Sequence, residues 1–141
     1  MYNHYRKKRK NYTTVIDADK KIFCSFCESI TPDQFIRETE HCTLIKNRIP
    51  YDLWEHHEVV SHLLVVPKRH VHTLGEMSRE ELLDLMAICA EYETKGYNIY
   101  ARASDNPRRS AYHQHTHLIQ IAPEVVKGGM YLKKPYFHVT F

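Results

Sequence analysis

The sequence predicts an α+β fold, in which an antiparallel sheet packs against one long helix and leaves room for a second, short one. Apolar residues recur at helical spacing in one long segment, residues 79–95. Shorter runs that alternate apolar with polar residues, or are continuously apolar, precede and follow that segment, and these are typical of strands. The length of 141 residues, without an internal repeat, indicates one domain.

Two segments before the helix predict the middle of the sheet. Residues 34–39 and 42–46 alternate apolar and polar side chains, and residues 40–41 between them predict a hairpin turn. The continuous apolar run at residues 62–66 predicts a strand that is buried on both faces. Pro67 is expected to end that strand.

The helix has a clear beginning and end in the sequence. Ser78 and Glu81 stand at the spacing of a capping box, and Gly96 is a fitting stop. The predicted apolar face consists of Leu82, Leu85, Met86, Cys89 and Tyr92. A strand is predicted at residues 97–101, and another from about residue 111 to residue 122.

Composition limits the class of protein. The chain is 43% hydrophobic, which suffices for a core, but it has no apolar run of membrane-spanning length. The basic N-terminus is not followed by an apolar segment, which argues against a secretory signal and favours a cytoplasmic protein. We expect residues 1–21 to form a basic arm and residues 22–141 to form a single domain.

The positive charge is concentrated in that arm. The formal net charge is +3, but residues 6–10 are all basic, and the rest of the chain carries 15 basic and 17 acidic residues. Such an arm is either a solvated, mobile end or a weak contact for nucleic acid.

Three histidines occupy alternate positions at His113, His115 and His117. In a strand, this spacing directs all three imidazoles to one face. Imidazole can serve as a nucleophile, as an acid or base, or as a metal ligand. His-rich tracts also occur as disordered metal-binding tails, but here Leu118 and Ile119 follow directly and indicate core. The pattern therefore favours a functional site.

The four cysteines predict a metal or redox site rather than a disulfide scaffold. Cys24 and Cys27 form a Cys-x-x-Cys pair in a chain that has an ample core and no export signal. Two thiolates supply half of a tetrahedral zinc site. A redox-active or unliganded pair is the alternative. Cys42 and Cys89 lie in apolar patterns and are expected in the core.

Three blocks of the sequence resemble the histidine-triad (HIT) superfamily. The stretch from His113 to Ile119 resembles the family signature, which alternates histidine with mostly apolar residues. The stretch from Ser61 to His70 is similar to the family's histidine, apolar strand, Pro-Lys and second histidine. Residues 23–27 resemble the N-terminal zinc knuckle of the bacterial zinc-containing members. The resemblance covers roughly residues 22–122, with the blocks in the family's order.

The resemblance implies both a fold and an activity. Family members have an antiparallel sheet with two helices and usually form homodimers. They hydrolyse nucleotides or transfer nucleotidyl groups at the α-phosphorus through a nucleotidyl-histidine intermediate. Their substrates include nucleoside phosphoramidates, dinucleoside polyphosphates and adenylylated groups, so the implied partner is a purine nucleotide or a nucleotide conjugate.

The resemblance also assigns roles to individual residues. His115 matches the nucleophile, and His117 matches the histidine that binds the phosphoryl oxygens. His62 matches the fourth family histidine, and Ser110 matches a serine that assists the leaving group; by itself, Ser110 is equally a polar residue at a strand entry.

The matching zinc ligands are Cys24, Cys27, His70 and His113. Four protein ligands leave no open coordination position, which implies a structural rather than a catalytic zinc. His113 would then belong to the triad and to the metal site at once.

The sequence departs from the family pattern at the phosphate-binding loop. Where relatives have Gly-Gln-Ser, this chain has Arg108, Arg109 and Ser110. Arginine binds phosphate well, so the pair either takes over phosphate contact or blocks the pocket.

A second departure concerns nucleoside recognition. Trp54 stands eight residues before His62, where relatives carry an Asp or Asn for the ribose, and Asp52 is nearby. Trp54 either stacks on a base or belongs to the core. It lies in residues 50–57, a segment whose sequence predicts a loop or an irregular strand. Gln114 and Thr116 replace usually apolar residues and predict a less buried outer face.

Three functions follow in order of preference. The first is an enzyme of the HIT type, a phosphoramidase or a dinucleoside polyphosphate hydrolase, that acts through His115. The second is a non-catalytic nucleotide or RNA binding protein, favoured by the arginine pair and the basic arm. The third is a structural zinc protein that uses the triad face for a partner.

Overall fold

The described residues form a seven-stranded antiparallel sheet, a separate two-stranded sheet and two α-helices. The computed structural model describes the backbone of residues 4–5, 24–126, 129–133 and 136–140. The elements are β1 (His4–Tyr5), α1 (Ser25–Glu28), β2 (Phe35–Glu38), β3 (Cys42–Lys46), β4 (Leu53–Trp54), β5 (His57–Pro67), α2 (Arg79–Glu93), β6 (Asn98–Ala101), β7 (Thr116–Val125), β8 (Gly129–Lys133) and β9 (Tyr136–Thr140). Strands β8 and β9 pair as a separate hairpin.

The long strand β5 is the centre of the sheet. One of its edges pairs with β4 at its beginning and with β3 at its end, while β7 runs along the other edge. Strand β2 continues the sheet beyond β3, and β6 continues it beyond β7. The α+β fold with an antiparallel sheet is therefore confirmed.

The predicted strands and hairpin are present. Strands β2 and β3 pair antiparallel across residues 39–41, and residues 62–66 form the buried end of β5. Residues 50–57, predicted as a loop or irregular strand, contain the short strand β4 and a tight turn. Of the predicted basic arm, residues 1–21, only His4 and Tyr5 lie among the described residues, and their backbone pairs with β4.

The long helix begins where the sequence predicts. Ser78 caps α2, and Glu81 completes the capping box. Gly96 follows the helix with a φ of +83°, a conformation that favours glycine. One detail of the predicted apolar face was wrong: Met86 is 54% exposed, while Ile88 is buried. The five predicted positions extend over more than the face that contacts the sheet, and Met86 lies at the solvent edge.

Each face of the sheet has its own core, because side chains alternate along a strand. Helix α2 covers the first face, with buried residues Cys42, Leu44, Leu63, Val65, Val71, Met77, Leu85, Ile88, Cys89 and Leu118. On the opposite face, Ile45, Leu64 and Val66 pack against Phe26 and Ile30 from the α1 region. His62, His115 and His117 lie on this second side.

The histidine strand begins later than predicted. Strand β7 starts at Thr116, so His113 and His115 precede it, in a segment that bends at residues 112–113. The ladder between β5 and β7 pairs Val65 with Thr116 and goes no further. Pro67 ends β5 and has no N–H to donate to a longer ladder.

The prediction that Gln114 and Thr116 loosen the outer face was wrong. Their exposed fractions are only 2% and 3%. The connection after β5 covers this end of the sheet: the Gln114 N–H donates to the Val71 carbonyl at 2.7 Å, and Val71 itself is fully buried. Arg109 donates to Oε1 of Gln114 at 3.2 Å, but Gln114 Nε2 and Thr116 Oγ1 have no hydrogen-bond partner among the described residues, so the burial of these side chains has a cost.

None of the helices among residues 24–126 is long and apolar enough to cross a membrane.

A two-residue turn joins β4 to β5. Trp54 pairs with His57, and both residues between them, Glu55 and His56, have positive φ values of 50° and 66°. This is the backbone of a type I′ turn, for which Asn-Gly is the preferred sequence. Neither Glu nor His adopts this conformation readily, so the turn holds the hairpin at a cost in stability.

We therefore expect the double variant Glu55→Asn/His56→Gly to be more stable than the wild type by about 1 kcal/mol. Urea unfolding would measure the gain. Glu58→Asn, at an exposed position of the neighbouring strand, is the control and should give no gain. Equal stability of the double variant and the wild type would contradict strain in this turn.

Glu81 links the start of α2 to the segment that carries His70. Its buried carboxylate accepts from Arg69 Nε at 2.9 Å, from Arg69 Nη2 at 2.7 Å and from the Ser78 N–H at 2.7 Å. These donors, chiefly Arg69, lower the pKa of Glu81 from 4.5 to about 2.

Glu81→Gln should therefore lower the free energy of unfolding at pH 7 by about 1–2 kcal/mol. Because the folded pKa is depressed, the carboxylate stabilises the fold above its unfolded pKa of 4.5, and this is lost as the pH falls towards 2. Urea unfolding at pH 7 and pH 3 should show the difference between the two proteins shrinking at pH 3. The exposed Glu93→Gln is the control; a constant difference for Glu81→Gln at both pH values would refute the linkage.

Candidate active site and metal site

A cleft opens on the α1 side of the sheet. One part of its wall is apolar and comes from Phe26, Ile30, Ile45, Ile49 and Leu64. The polar part consists of Ser25, Ser29, Gln34, Asn47, Arg48, Ser110, His115 and His117. The cleft is therefore amphipathic, with two triad histidines and Ser110 among its polar groups.

His115 presents an unprotonated nitrogen to this cleft. Its Nδ1 donates to the backbone carbonyl of His113 at 2.8 Å. A carbonyl only accepts, so Nδ1 carries the proton and Nε2 keeps its lone pair. Burial lowers the pKa of His115 from 6.5 to about 4, with a further contribution from the positive charges of Arg109 and Arg102. The ring is thus neutral near pH 7 and suited to nucleophilic attack.

His62 and His117 form a buried pair beside it. Nε2 of His62 lies 2.8 Å from Nδ1 of His117, and the Tyr51 N–H donates to Nδ1 of His62 at 3.0 Å. The rings of His115 and His117 have centroids 5.0 Å apart. Three of the four predicted histidines therefore meet at one end of the cleft.

The fourth histidine, His113, belongs to a cluster that is able to hold a metal ion. Ligand atoms of Cys24, Cys27, His70 and His113 all lie within 4.8 Å of one another. His113 Nδ1 is 3.4 Å from each sulfur, and His70 Nδ1 is 3.3 Å from Cys27 Sγ. Zinc bound tetrahedrally to sulfur and nitrogen would separate such ligands by about 3.5 Å. The donor set and its spacing therefore fit this metal.

The hydrogen bond made by the other ring nitrogen orients His113 for this role. Its Nε2 donates to the Pro67 carbonyl at 2.9 Å, so the lone pair is on Nδ1 and faces the two sulfurs. A carbonyl that fixes the tautomer in this way is typical of metal-binding histidines.

The metal cluster and the cleft share the short helix α1. Phe26, between the two cysteines, has its ring centroid 5.9 Å from that of His113 and 5.1 Å from that of His115. The same Phe26 is part of the apolar wall of the cleft. The position of this wall is therefore tied to the two thiols.

The predicted arginines lie on the loop before the triad. Arg109 donates to the carbonyls of Ala111 and His72 and to Oε1 of Gln114, so it holds together the backbone around the triad. The Arg108 backbone N–H donates to Oδ1 of Asn106 within the loop. Ser110, which follows Arg109 in the chain, lines the cleft.

Trp54 and Asp52 do not line the cleft. Trp54 is 8% exposed and stacks on Tyr51 in a core cluster with Ile119. The Asp52 carbonyl accepts from the Val59 N–H. Of the two alternatives for Trp54, the core placement is the one found.

Sequence reasoning missed three residues near the histidines. Asn47 lines the cleft one residue beyond β3. It stands two positions after Ile45, and this strand spacing indicated that both side chains lie on the same face of the sheet. Tyr51 is 2% exposed and packs against both His62 and His117. Arg102 donates to the Tyr51 hydroxyl at 2.7 Å. Nothing in the neighbouring sequence indicated that Tyr51 or Arg102 lies close to the histidines.

No family model matches the chain, and no curated protein matches it in sequence.

Solved structures do match it, at low identity. A HIT family hydrolase from Clostridium thermocellum superposes with a TM-score of 0.54 and 22% identity, over 71% of this chain and 91% of that one. A histidine triad nucleotide-binding protein from Candida albicans gives 0.54 and 20%, over 71% and 76%. A Hit-like protein involved in cell-cycle regulation from Bartonella henselae gives 0.56 and 18%, over 76% and 84%. Likeness at this level of identity concerns the fold, and the chain has the fold of the histidine-triad proteins.

Proposed function

We propose that the protein is a histidine-triad enzyme that hydrolyses nucleotides or transfers nucleotidyl groups, with His115 as the nucleophile. The observation that carries this proposal is the tautomer of His115. The His113 carbonyl holds the proton on Nδ1, which leaves the Nε2 lone pair in a cleft with His117 and Ser110. A core histidine would also satisfy its N–H, but only a nucleophile needs the remaining lone pair to face a cleft.

The proposed reaction has two displacements at the α-phosphorus. In the first, Nε2 of His115 forms a bond to phosphorus, and the bond to the leaving group breaks. The leaving group departs with the electron pair and takes the proton of the Ser110 hydroxyl. In the second, water attacks phosphorus and the bond to Nε2 breaks. One proton of the water returns to Ser110, and the remaining hydroxyl stays on the phosphorus of the product. The net reaction adds water across the phosphorus bond.

The cleft favours a nucleotide as the substrate. Phe26, Ile30 and Leu64 offer an apolar surface for a base, and His117 with Ser110 marks the phosphate end. Asn47 also lines the cleft, and its Nδ2 lies 3.1 Å from Nε2 of His62, next to the histidine pair. We assign it, rather than Trp54 or Asp52, to the ribose hydroxyls. Arg108 remains a candidate phosphate contact, and the contacts of Arg109 favour a role in holding the loop.

The proposed metal is a structural zinc held by Cys24, Cys27, His70 and His113. Two thiols and two imidazoles form a complete tetrahedral set, and a closed set supplies folding energy rather than chemistry. In this role, His113 and the cysteines orient α1, and with it Phe26, beside His115.

His115→Ala should abolish turnover of adenosine 5′-phosphoramidate, with a loss of at least about 10³-fold, because the nitrogen that forms the intermediate is gone. Intact-mass analysis after brief mixing should show a nucleotidyl adduct on the wild type and none on the variant. His41→Ala, in the turn between β2 and β3, is the matched histidine control and should keep full activity.

Unchanged turnover in His115→Ala would reject the mechanism. Nucleotide binding by the wild type without turnover of a phosphoramidate or a dinucleoside polyphosphate would instead favour the non-catalytic binding protein. Homodimer formation, a cytoplasmic location and contact of the basic arm with nucleic acid stay predictions.

Zinc removal should weaken both the fold and the cleft. We expect chelation to lower the free energy of unfolding by about 3 kcal/mol or more. Affinity for adenosine monophosphate should fall about tenfold, because Phe26 and Ile30 are no longer held. Metal analysis, urea unfolding and titration calorimetry would measure these changes.

The control is the double variant Cys24→Ser/Cys27→Ser, on which the chelator should have no further effect. Equal nucleotide affinity before and after verified zinc removal would contradict the link between the metal cluster and the cleft.

A further inference from the structure

Two hydrogen-bonded imidazoles can share one proton in two ways. In the pair formed by His62 and His117, either Nε2 of His62 donates to Nδ1 of His117, or the reverse. The choice has a chemical consequence, because each neutral ring carries only one N–H. In the first arrangement, His117 has its proton on Nε2; in the second, His117 Nε2 is a bare lone pair. Only in the first arrangement can His117 donate a hydrogen bond from Nε2 to a phosphoryl oxygen.

The Tyr51 peptide N–H decides between these arrangements. It points at Nδ1 of His62 over 3.0 Å, and a peptide N–H can only donate. In the reverse arrangement Nδ1 of His62 would also carry a proton, and two N–H groups would face each other in a buried site. The cost of such an arrangement excludes it. The relay therefore runs from Tyr51 to His62 to His117.

The Asn47 amide does not oppose this direction. Its Nδ2 lies 3.4 Å from Nδ1 and 3.1 Å from Nε2 of His62. An atom at such similar distances from both nitrogens would overlap the carbon between them if it lay in the ring plane. The amide therefore sits over the face of the ring, and the in-plane lone pair of Nδ1 stays with Tyr51.

The side chain of Tyr51 holds its own backbone in place. The ring is buried, stacks on Trp54 at 5.6 Å, and packs against His62 at 4.6 Å and His117 at 5.8 Å between centroids. Arg102 donates to its hydroxyl at 2.7 Å. The strained turn at residues 55–56 returns the chain from this segment into β5. The side chains and the turn of the segment between β3 and β5 thus hold one N–H group in place.

We propose that Tyr51, anchored by Arg102, is a positioning residue that sets the proton direction in the His62–His117 pair. It thereby makes His117 a fixed donor to the phosphoryl oxygens. The inference rests on the proposed function for the purpose of that donor, but the proton direction is a property of the protein without substrate.

The decisive measurement is the nitrogen spectrum of the imidazoles in the ¹⁵N-labelled, zinc-loaded full chain. We expect His62 and His117 both to be protonated on Nε2, and His115 on Nδ1. A proton on Nδ1 of His117 would overturn the proposal. Because this spectrum needs no turnover, an inactive wild type with the expected tautomers would reject the enzyme and leave the relay standing.

The variant Tyr51→Phe tests the anchor. It keeps the ring but loses the hydrogen bond from Arg102, so we expect a second tautomer of His117 to appear. The kcat for adenosine 5′-phosphoramidate should fall about tenfold with little change in KM, less than the 10²–10³-fold cost of removing a transition-state donor outright.

Tyr97→Phe is the matched control, because it also removes a hydrogen-bonded tyrosine hydroxyl, in this case one that donates to Ser61 on the α2 side of the sheet, away from the cleft. It should keep the wild-type spectrum and rate. If Tyr51→Phe and Tyr97→Phe gave the same spectrum, the Tyr51 anchor would have no part in the relay.

Discussion

The structure depends on three contacts of one residue, His113. Its Nε2 donates to the Pro67 carbonyl, its Nδ1 faces the two thiols, and its own carbonyl accepts from Nδ1 of His115. Each contact constrains the next: the proline carbonyl fixes the tautomer, the tautomer leaves a lone pair that is able to bind a metal beside the thiols, and the same residue's carbonyl orients the neighbouring imidazole. A disturbance at the thiols would therefore reach His115, the proposed nucleophile, through His113 as well as through Phe26.

Pro67 explains why this junction lies outside the ladder. Since it has no N–H, pairing between β5 and β7 stops at Val65 and Thr116, and the chain before Thr116 is released from the sheet. The Pro67 carbonyl is then available to a side chain rather than to a strand. Arg109 and the Val71 carbonyl support the released segment in place of a strand partner. The two histidines that must turn towards other groups, His113 and His115, both lie in this segment.

The parts of the fold that follow from short-range periodicity were predictable: the β2–β3 hairpin, the buried end of β5 and the cap of α2. The alternate spacing of the histidines predicted a functional site at His113, His115 and His117, and the Cys-x-x-Cys pair predicted two metal ligands, whereas His62 and His70 were assigned only through the resemblance to the histidine-triad family. The tertiary contacts of residues 50–57 were not predictable, because Tyr51 is placed by stacking on Trp54 and by Arg102, which is distant in sequence. Arg109 appeared to be a phosphate ligand by its residue type alone, and its carbonyl partners are visible only in three dimensions.

The proposed chemistry requires opposite tautomers on two rings whose centroids are 5.0 Å apart. His115 must offer a lone pair to phosphorus, while His117 must offer a proton to the oxygens bound to it. Equal burial would leave both rings free to take either form, so burial alone does not separate the roles. The separation comes from the main chain: a carbonyl, which only accepts, acts on His115, and a peptide N–H, which only donates, acts on His117 through His62. Backbone groups cannot exchange these roles, and for that reason the assignment of nucleophile and donor is built into the fold before any substrate arrives.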